Sequence, residues 1–271
     1  MKKISFNRKW IGIFDSGVGG LTVFKAIRDV LPRENLIYFG DLARVPYGGK
    51  SPQLVRKYAE EITRYLLKQR EIKAIVVACN TASSVSLSYL RKKFSLPILG
   101  VIEPGVKKAL QTTRNNHIGV IGTITTIKSG AYQRLIQERN RDISLLALPT
   151  PLFVPLVEEG WIDEEVTRMV ARKYLNPFLQ AGVDTLILGC THYPLLKNIL
   201  AEEGRGISLI DSSREVAEEL RKLLKREGIE GGEGKELFLL TDTPPHFSSL
   251  FQKFLKKAPS SIKEVKLEEL S

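Results

Sequence analysis

The feature that most constrains this chain is an internal repeat. Ile11-Gly12-Ile13-Phe14-Asp15-Ser16 recurs in form as Ile118-Gly119-Val120-Ile121-Gly122-Thr123, an offset of 107 residues (11 to 118). The apolar run ending near Phe39, with its following Pro46, matches the run ending near Leu148 with Pro155, at 109 (46 to 155). Ile75-Val76-Val77-Ala78-Cys79-Asn80-Thr81 then matches Leu186-Ile187-Leu188-Gly189-Cys190-Thr191-His192 at 111 (75 to 186). Three slowly drifting offsets in the same order predict two structurally similar halves, each contributing one of the two cysteines.

Within each half, short apolar runs alternate with longer amphipathic segments, the pattern of an α/β fold with largely parallel strands. The predicted strands are Trp10–Phe14, Leu36–Gly40, Ala74–Ala78, Ile98–Val101, Ile118–Ile121, Ser144–Leu148, Thr185–Leu188, Ser208–Ile210 and Glu236–Leu240. Helices are predicted between most of them, for example over Pro52–Gln69 and Asp163–Gln180, and the Gly-rich, charged run Glu227–Gly234 reads as a surface loop.

A chain of 271 residues with 43% hydrophobic content can bury a sizeable core. No apolar stretch reaches about 18 residues, and Met1–Lys9 lacks the apolar core of a signal peptide, so a soluble cytoplasmic protein with no membrane association is expected. Two cysteines so far apart in a reducing compartment should be free thiols. The net charge of +11 raises nucleic acid as a rival partner. Its Lys and Arg residues are, however, spread along helical segments such as Leu220–Arg226 and Phe251–Lys257, which read as solvated faces that also attract acidic substrates. Nucleic-acid binding is therefore not expected.

In both halves the cysteine ends a strand run and precedes a predicted helix, Thr81–Tyr89 and Pro194–Leu200. Ligands of open α/β sheets sit beyond the carboxyl ends of strands, and a helix start offers free N–H groups that can lower a thiol's pKa from about 8.5 towards neutrality. A lone cysteine is more often a small buried hydrophobe, but equivalent placement in two repeats favours chemistry. Inverting a carbon needs one group to remove a proton from one face and a second to supply one to the other, which a thiolate and a thiol do in either direction. A protease-like Cys/His pairing is not recognisable, and two Cys with three His in no Cys-x-x-Cys spacing are a weak zinc set.

Other segments carry two readings each. Asp15-Ser16-Gly17-Val18-Gly19-Gly20 follows a strand and can bring N–H groups to an anion, with Asp15 accepting from an ammonium or acting on a nearby proton. It departs from the dinucleotide fingerprint because Thr22 stands where the third glycine belongs, and Gly49-Lys50-Ser51 lacks the earlier glycine of a phosphate loop, since position 44 is Arg. Pro46-Tyr47-Gly48 is either a plain turn or a source of N–H groups for a carboxylate. Glu158 and His192 are either ordinary surface and hydrogen-bonded residues or tuners of thiol acidity.

Taken with Gly40–Gly48, Ala78–Ser83, Gly100–Gly105, Val154–Glu158, Gly189–Leu195 and Asp242-Thr243-Pro244, these segments resemble those of the glutamate racemases of the aspartate/glutamate racemase family. The resemblance implies two similar flavodoxin-like α/β domains, related by a pseudo-two-fold axis with the active site between them. It places the first domain at residues 1–102 plus 212–271 and the second at 103–211. It also implies racemisation of glutamate for peptidoglycan without pyridoxal phosphate, metal or nucleotide, and usually a homodimer. The family's catalytic cysteines fall on Cys79 and Cys190, its supporting acid/base groups on Asp15, Glu158 and His192. Its substrate contacts fall on Asp15, Ser16, Tyr47, Gly48, Asn80, Thr81, Thr123, Thr126, Thr191 and His192. Aspartate remains the alternative substrate, because two thiols do not measure side-chain length.

Overall fold

The computed structural model describes residues 9–243, 247–255 and 261–270. Strands β1 (Trp10–Asp15), β2 (Asn35–Gly40), β3 (Ile72–Val77) and β4 (Ile98–Gly100) alternate with helices α1 (Leu21–Val30), α2 (Pro52–Gln69) and α3 (Asn80–Lys93). After α4 (Ile102–Thr112) come β5 (His117–Gly122), α5 (Ile124–Lys128), α6 (Ala131–Arg139), β6 (Ser144–Pro149), α7 (Phe153–Glu158) and α8 (Glu165–Gln180). Then follow β7 (Thr185–Gly189), α9 (Lys197–Glu203), β8 (Ser208–Ile210), α10 (Ser212–Glu227), β9 (Glu236–Leu240), α11 (Phe247–Leu255) and β10 (Ile262–Glu264).

Among the described residues these strands form two parallel sheets, ordered β10-β9-β2-β1-β3-β4 and β6-β5-β7-β8. The order 2-1-3-4 in the first is repeated as 6-5-7-8 in the second, so the sequence repeat is a structural one. Central strands are buried on both faces, which is why they read as unbroken apolar runs. Helix α2 shows how sequence sets the flanking layer. Ser51 caps it by accepting from the Leu54 N–H at 3.3 Å, Pro52 occupies its first turn, and Val55, Ala59, Ile62 and Leu66 form its buried stripe.

The chain returns to the first sheet after β8. Strand β9 pairs with β2 in register Tyr38↔Phe238, and α10 lies against both α1 and α4. The segment expected to be a surface loop is one: only Glu227 belongs to α10, which Gly228 closes in the left-handed conformation at φ 63°, and residues 229–235 form no helix or strand. Its continuation is held from below by Lys73, whose ammonium donates to the carbonyls of Ile229 at 2.9 Å and Gly231 at 2.8 Å. No described helix is long and apolar enough to cross a membrane. Pro244 and Lys256–Lys257, used in the sequence reading, lie outside the described residues, as do Met1–Arg8.

Candidate active site

Parallel strands present their carboxyl ends on one edge, and the two sheets turn those edges towards each other. Ser16 after β1, Cys79 after β3, Thr123 after β5 and Cys190 after β7 all line one cleft of about 380 Å³. That volume lies in the range of small-molecule sites. Both cysteines are free and nearly buried, at 5% and 6% exposure. A larger, open groove of about 690 Å³ runs past Arg91, Lys107 and Arg226, away from both thiols.

Cys79 is the N-cap of α3, and its sulfur accepts from the Ala82 N–H at 3.4 Å and lies 3.8 Å from the Ser16 hydroxyl. The helix start was expected to lower its pKa; the structure corrects this. Burial pushes the Cys79 thiol up to about 12, and the charges of Asp15 and Cys190 push the same way against the Ala82 and Ser16 hydrogen bonds. Desolvation of a thiolate outweighs one backbone donor. Around Cys190 the local structure also differs from expectation. A 3₁₀ turn over Tyr193–Leu196 with Pro194 in its first turn precedes α9, so no helix starts at this sulfur.

What faces Cys190 is His192, with Nδ1 3.7 Å from the sulfur. Its Nε2 is 3.2 Å from Oε1 of Glu158, an ion contact by distance, although the ring N–H is not aimed along a formed hydrogen bond. Burial alone would lower the His192 pKa, but Cys190 and Glu158 overcome it and raise it to about 10. The ring of Phe254 from α11 meets this imidazole edge-on at 6.0 Å and helps to bury it.

Of the remaining predicted residues, Ser16, Tyr47, Gly48, Asn80, Thr81, Thr123, Glu158 and Thr191 line the cleft. Asp15 and Thr126 stand behind its wall. Asp15 is fully buried; one carboxylate oxygen accepts from the Gly17 N–H at 3.0 Å and the other has no described partner. Burial raises its pKa, against the charge of His192 and the backbone N–H groups of Gly17, Gly20 and Ser16 nearby, of which Gly17 forms the hydrogen bond. Thr126 bonds to Thr81 at 3.2 Å and Thr123 at 2.9 Å, and Thr81 meets Thr123 at 2.9 Å, a triangle of hydroxyls between α3 and α5.

The Pro46-Tyr47-Gly48 lip is anchored away from the cleft. The Tyr47 hydroxyl donates to Asp41, which also accepts from Arg44 Nε at 2.8 Å and Thr241 at 3.1 Å. Tyr47 therefore offers the cleft its ring and backbone. A Cβ on Gly48 would lie 2.8 Å from Thr123, so only glycine allows this close approach. Sequence reasoning missed Asp41, Thr241, Phe254 and Tyr132, whose hydroxyl accepts from Asn80 Nδ2 at 3.0 Å. None has a spacing that marks it; each reaches the site only through the fold.

Among the described residues no group of three His, Cys, Asp or Glu side chains is placed to hold a metal. The groups assembled are two sulfurs, one cationic imidazole, hydroxyls and backbone donors, a set suited to proton transfer and to holding an anionic substrate.

Comparison with known proteins identifies the family. The profile of the Asp/Glu/hydantoin racemase family matches residues 19–220. A glutamate racemase from Geobacter metallireducens is 47% identical over 269 residues, covering 96% of this chain and 97% of its own. The crystal structure of a glutamate racemase isoform from Bacillus anthracis superposes with a TM-score of 0.92 at 36% identity, covering 96% of this chain and 98% of its own. That of the Francisella tularensis glutamate racemase in complex with D-glutamate gives 0.91 at 37%, covering 97% and 99%. The family profile, the 47% identity over 96% of the chain and the superposition over 96% of it together establish that this chain belongs to the Asp/Glu/hydantoin racemase family, among its glutamate racemases.

Proposed function

We propose that the protein interconverts L- and D-glutamate by proton transfer between two thiols. The observation that carries the reading is the pair of buried cysteines at equivalent strand ends of two repeated sheets, both open to one small cleft. Cys190 as thiolate removes the α-proton of L-glutamate while the Cys79 thiol delivers a proton to the opposite face. The product is D-glutamate, with Cys190 protonated and Cys79 a thiolate. The reverse reaction runs the same steps backwards. His192, held protonated by Cys190 and Glu158, neutralises charge on the Cys190 side, and Asp15 acts on the Cys79 side. Hydroxyls of Ser16, Thr81, Thr123 and Thr191, the Asn80 amide and backbone N–H groups at Gly48 hold the substrate, with Thr126 bracing Thr81 and Thr123.

The α-proton is far less acidic than a thiol, so the site has to exclude water and stabilise the carbanionic transition state. Near-complete burial of both sulfurs supports that role. Two domains, residues 1–102 with 212–271 and residues 103–211, would supply one thiol each. The resemblance further supports a cytoplasmic homodimer that needs no cofactor and supplies D-glutamate for peptidoglycan. The deciding experiment is substrate profiling by circular dichroism with both enantiomers of glutamate, aspartate and glutamine. Glutamate should go to an equal mixture from either side; aspartate turnover at or above the glutamate rate would refute the assignment.

A further inference from the structure

We propose that Tyr132, which does not line the cleft, is a positioning residue that fixes the Asn80 carboxamide against the substrate. Tyr132 lies in the first turn of α6, beside the second sheet, and Asn80 in the first turn of α3, beside the first. Both are nearly buried, at 3% and 4% exposure, and the Asn80 Nδ2–H donates to the Tyr132 hydroxyl at 3.0 Å. Among the described residues no hydrogen bond involves the carboxamide oxygen of Asn80, which leaves it for the cleft.

The phenol itself is well held. Its ring packs beside β7, where a Cβ on Gly189 would be 3.4 Å from Tyr132 Cε2. The turn before α6 runs from Thr126 through Ser129, whose hydroxyl donates to the Thr126 carbonyl at 2.6 Å and accepts from the Ala131 N–H at 3.2 Å. Gly130 completes this turn at φ 66°. Tyr132 is thus locked to the hydroxyl triangle and to the strand that ends at Cys190, and it reaches across to the residue that follows Cys79. Burial, with the nearby Cys190 charge, pushes the phenol pKa up, so its hydroxyl stays neutral whichever thiol carries the proton. An orienting bond of this kind serves both directions of reaction equally.

The inference rests on the proposed contact between Asn80 and glutamate. Its test is steady-state kinetics of Tyr132→Phe, which keeps the ring, alone and combined with Asn80→Ala. Losing one orienting bond that acts equally on bound substrate and transition state should raise KM about tenfold and change kcat less than about twofold. A merely structural role would lower kcat through a smaller folded fraction and leave KM unchanged, so KM reports even from a partly unfolded preparation. On the Asn80→Ala background, Tyr132→Phe should change KM by less than about twofold, because the group it orients is gone. Wild-type KM in Tyr132→Phe, or the same rise on the Asn80→Ala background, overturns the inference alone. Failure of the unmutated protein to racemise glutamate overturns both it and the proposed function.

Discussion

Replacing Glu158 by glutamine removes one charge from the His192 side of the cleft while keeping the shape. At the observed 3.2 Å, two unit charges attract by about 5 kcal/mol at an effective dielectric constant of about 20. Exposed ion pairs realise about 1 kcal/mol or less. Glu158 is 35% exposed and the imidazole N–H is not aimed at its oxygen, so the lower part of that span applies, about 1–2 kcal/mol or about one pKa unit. The His192 pKa, about 10 in the intact protein, should fall by about that unit. Because it is raised above the ordinary 6.5, its stabilising contribution is complete below that pH and is lost as pH rises through about 10. Glu158→Gln should therefore destabilise the fold by about 1–2 kcal/mol at pH 6 and by almost nothing at pH 11, measured by urea unfolding. In rate profiles with L- and D-glutamate the basic limb should move down by about one unit relative to wild type; ionisation of the substrate is common to both enzymes and cancels. Enantiomers have equal free energy, so kcat/KM has to fall by the same factor in both directions, and any asymmetry belongs to kcat alone. A basic limb that stays in place, or a destabilisation that persists at pH 11, would refute the His192–Glu158 argument.

Gly48→Ala should displace the lip, since its new Cβ meets Thr123 at 2.8 Å; an overpacking cost of about 1–3 kcal/mol is expected to appear chiefly as a raised KM for glutamate, checked by initial rates. Lys73→Met leaves the buried Glu34 carboxylate, 2.5 Å from the lysine, without its cation, and should lower unfolding free energy by about 3–5 kcal/mol in urea titrations. The racemase activity of the remaining folded protein should be unchanged, because Lys73 lies at the amino-terminal end of its strand, remote from both thiols. Exhaustive dialysis against a chelator should leave activity intact, and activity restored only by added metal or pyridoxal phosphate would contradict proton transfer by thiols alone.

Much of the fold was legible because strands buried on both faces have to be apolar throughout. All nine predicted strands occur, with ends displaced by two residues at most, as for Ile72–Val77 against Ala74–Ala78. Strand β10 was not legible, because Ile262, Lys263 and Glu264 are all exposed at the sheet edge and carry no apolar run. The convergence of Cys79 and Cys190 could be read from the repeat, since equivalent strand ends face one crevice. Their electrostatic setting could not. Reasoning from a helix start counts donors but not desolvation, and at Cys79 desolvation dominates. Asp15 was legible as a site residue, but its place behind the wall depends on how the Gly17–Gly20 turn folds over it. Tyr132 and Phe254 lie 52 and 62 residues from Asn80 and His192, too far for any local pattern to join them.

The central claim is that two different thiols serve the two faces of one carbon, and hydrogen exchange at Cα in deuterated water tests it most directly. L-Glutamate is converted to a small extent, and the deuterium content of recovered L and newly formed D is measured separately by mass spectrometry, then the experiment is repeated from D-glutamate. With separate thiols, the product carries solvent deuterium from the first turnovers while recovered substrate stays almost unlabelled, and Cys79→Ser and Cys190→Ser each lose racemisation by several orders of magnitude. Product that quantitatively retains the original α-proton, or either serine variant racemising at near-wild-type rates in both directions, would contradict it.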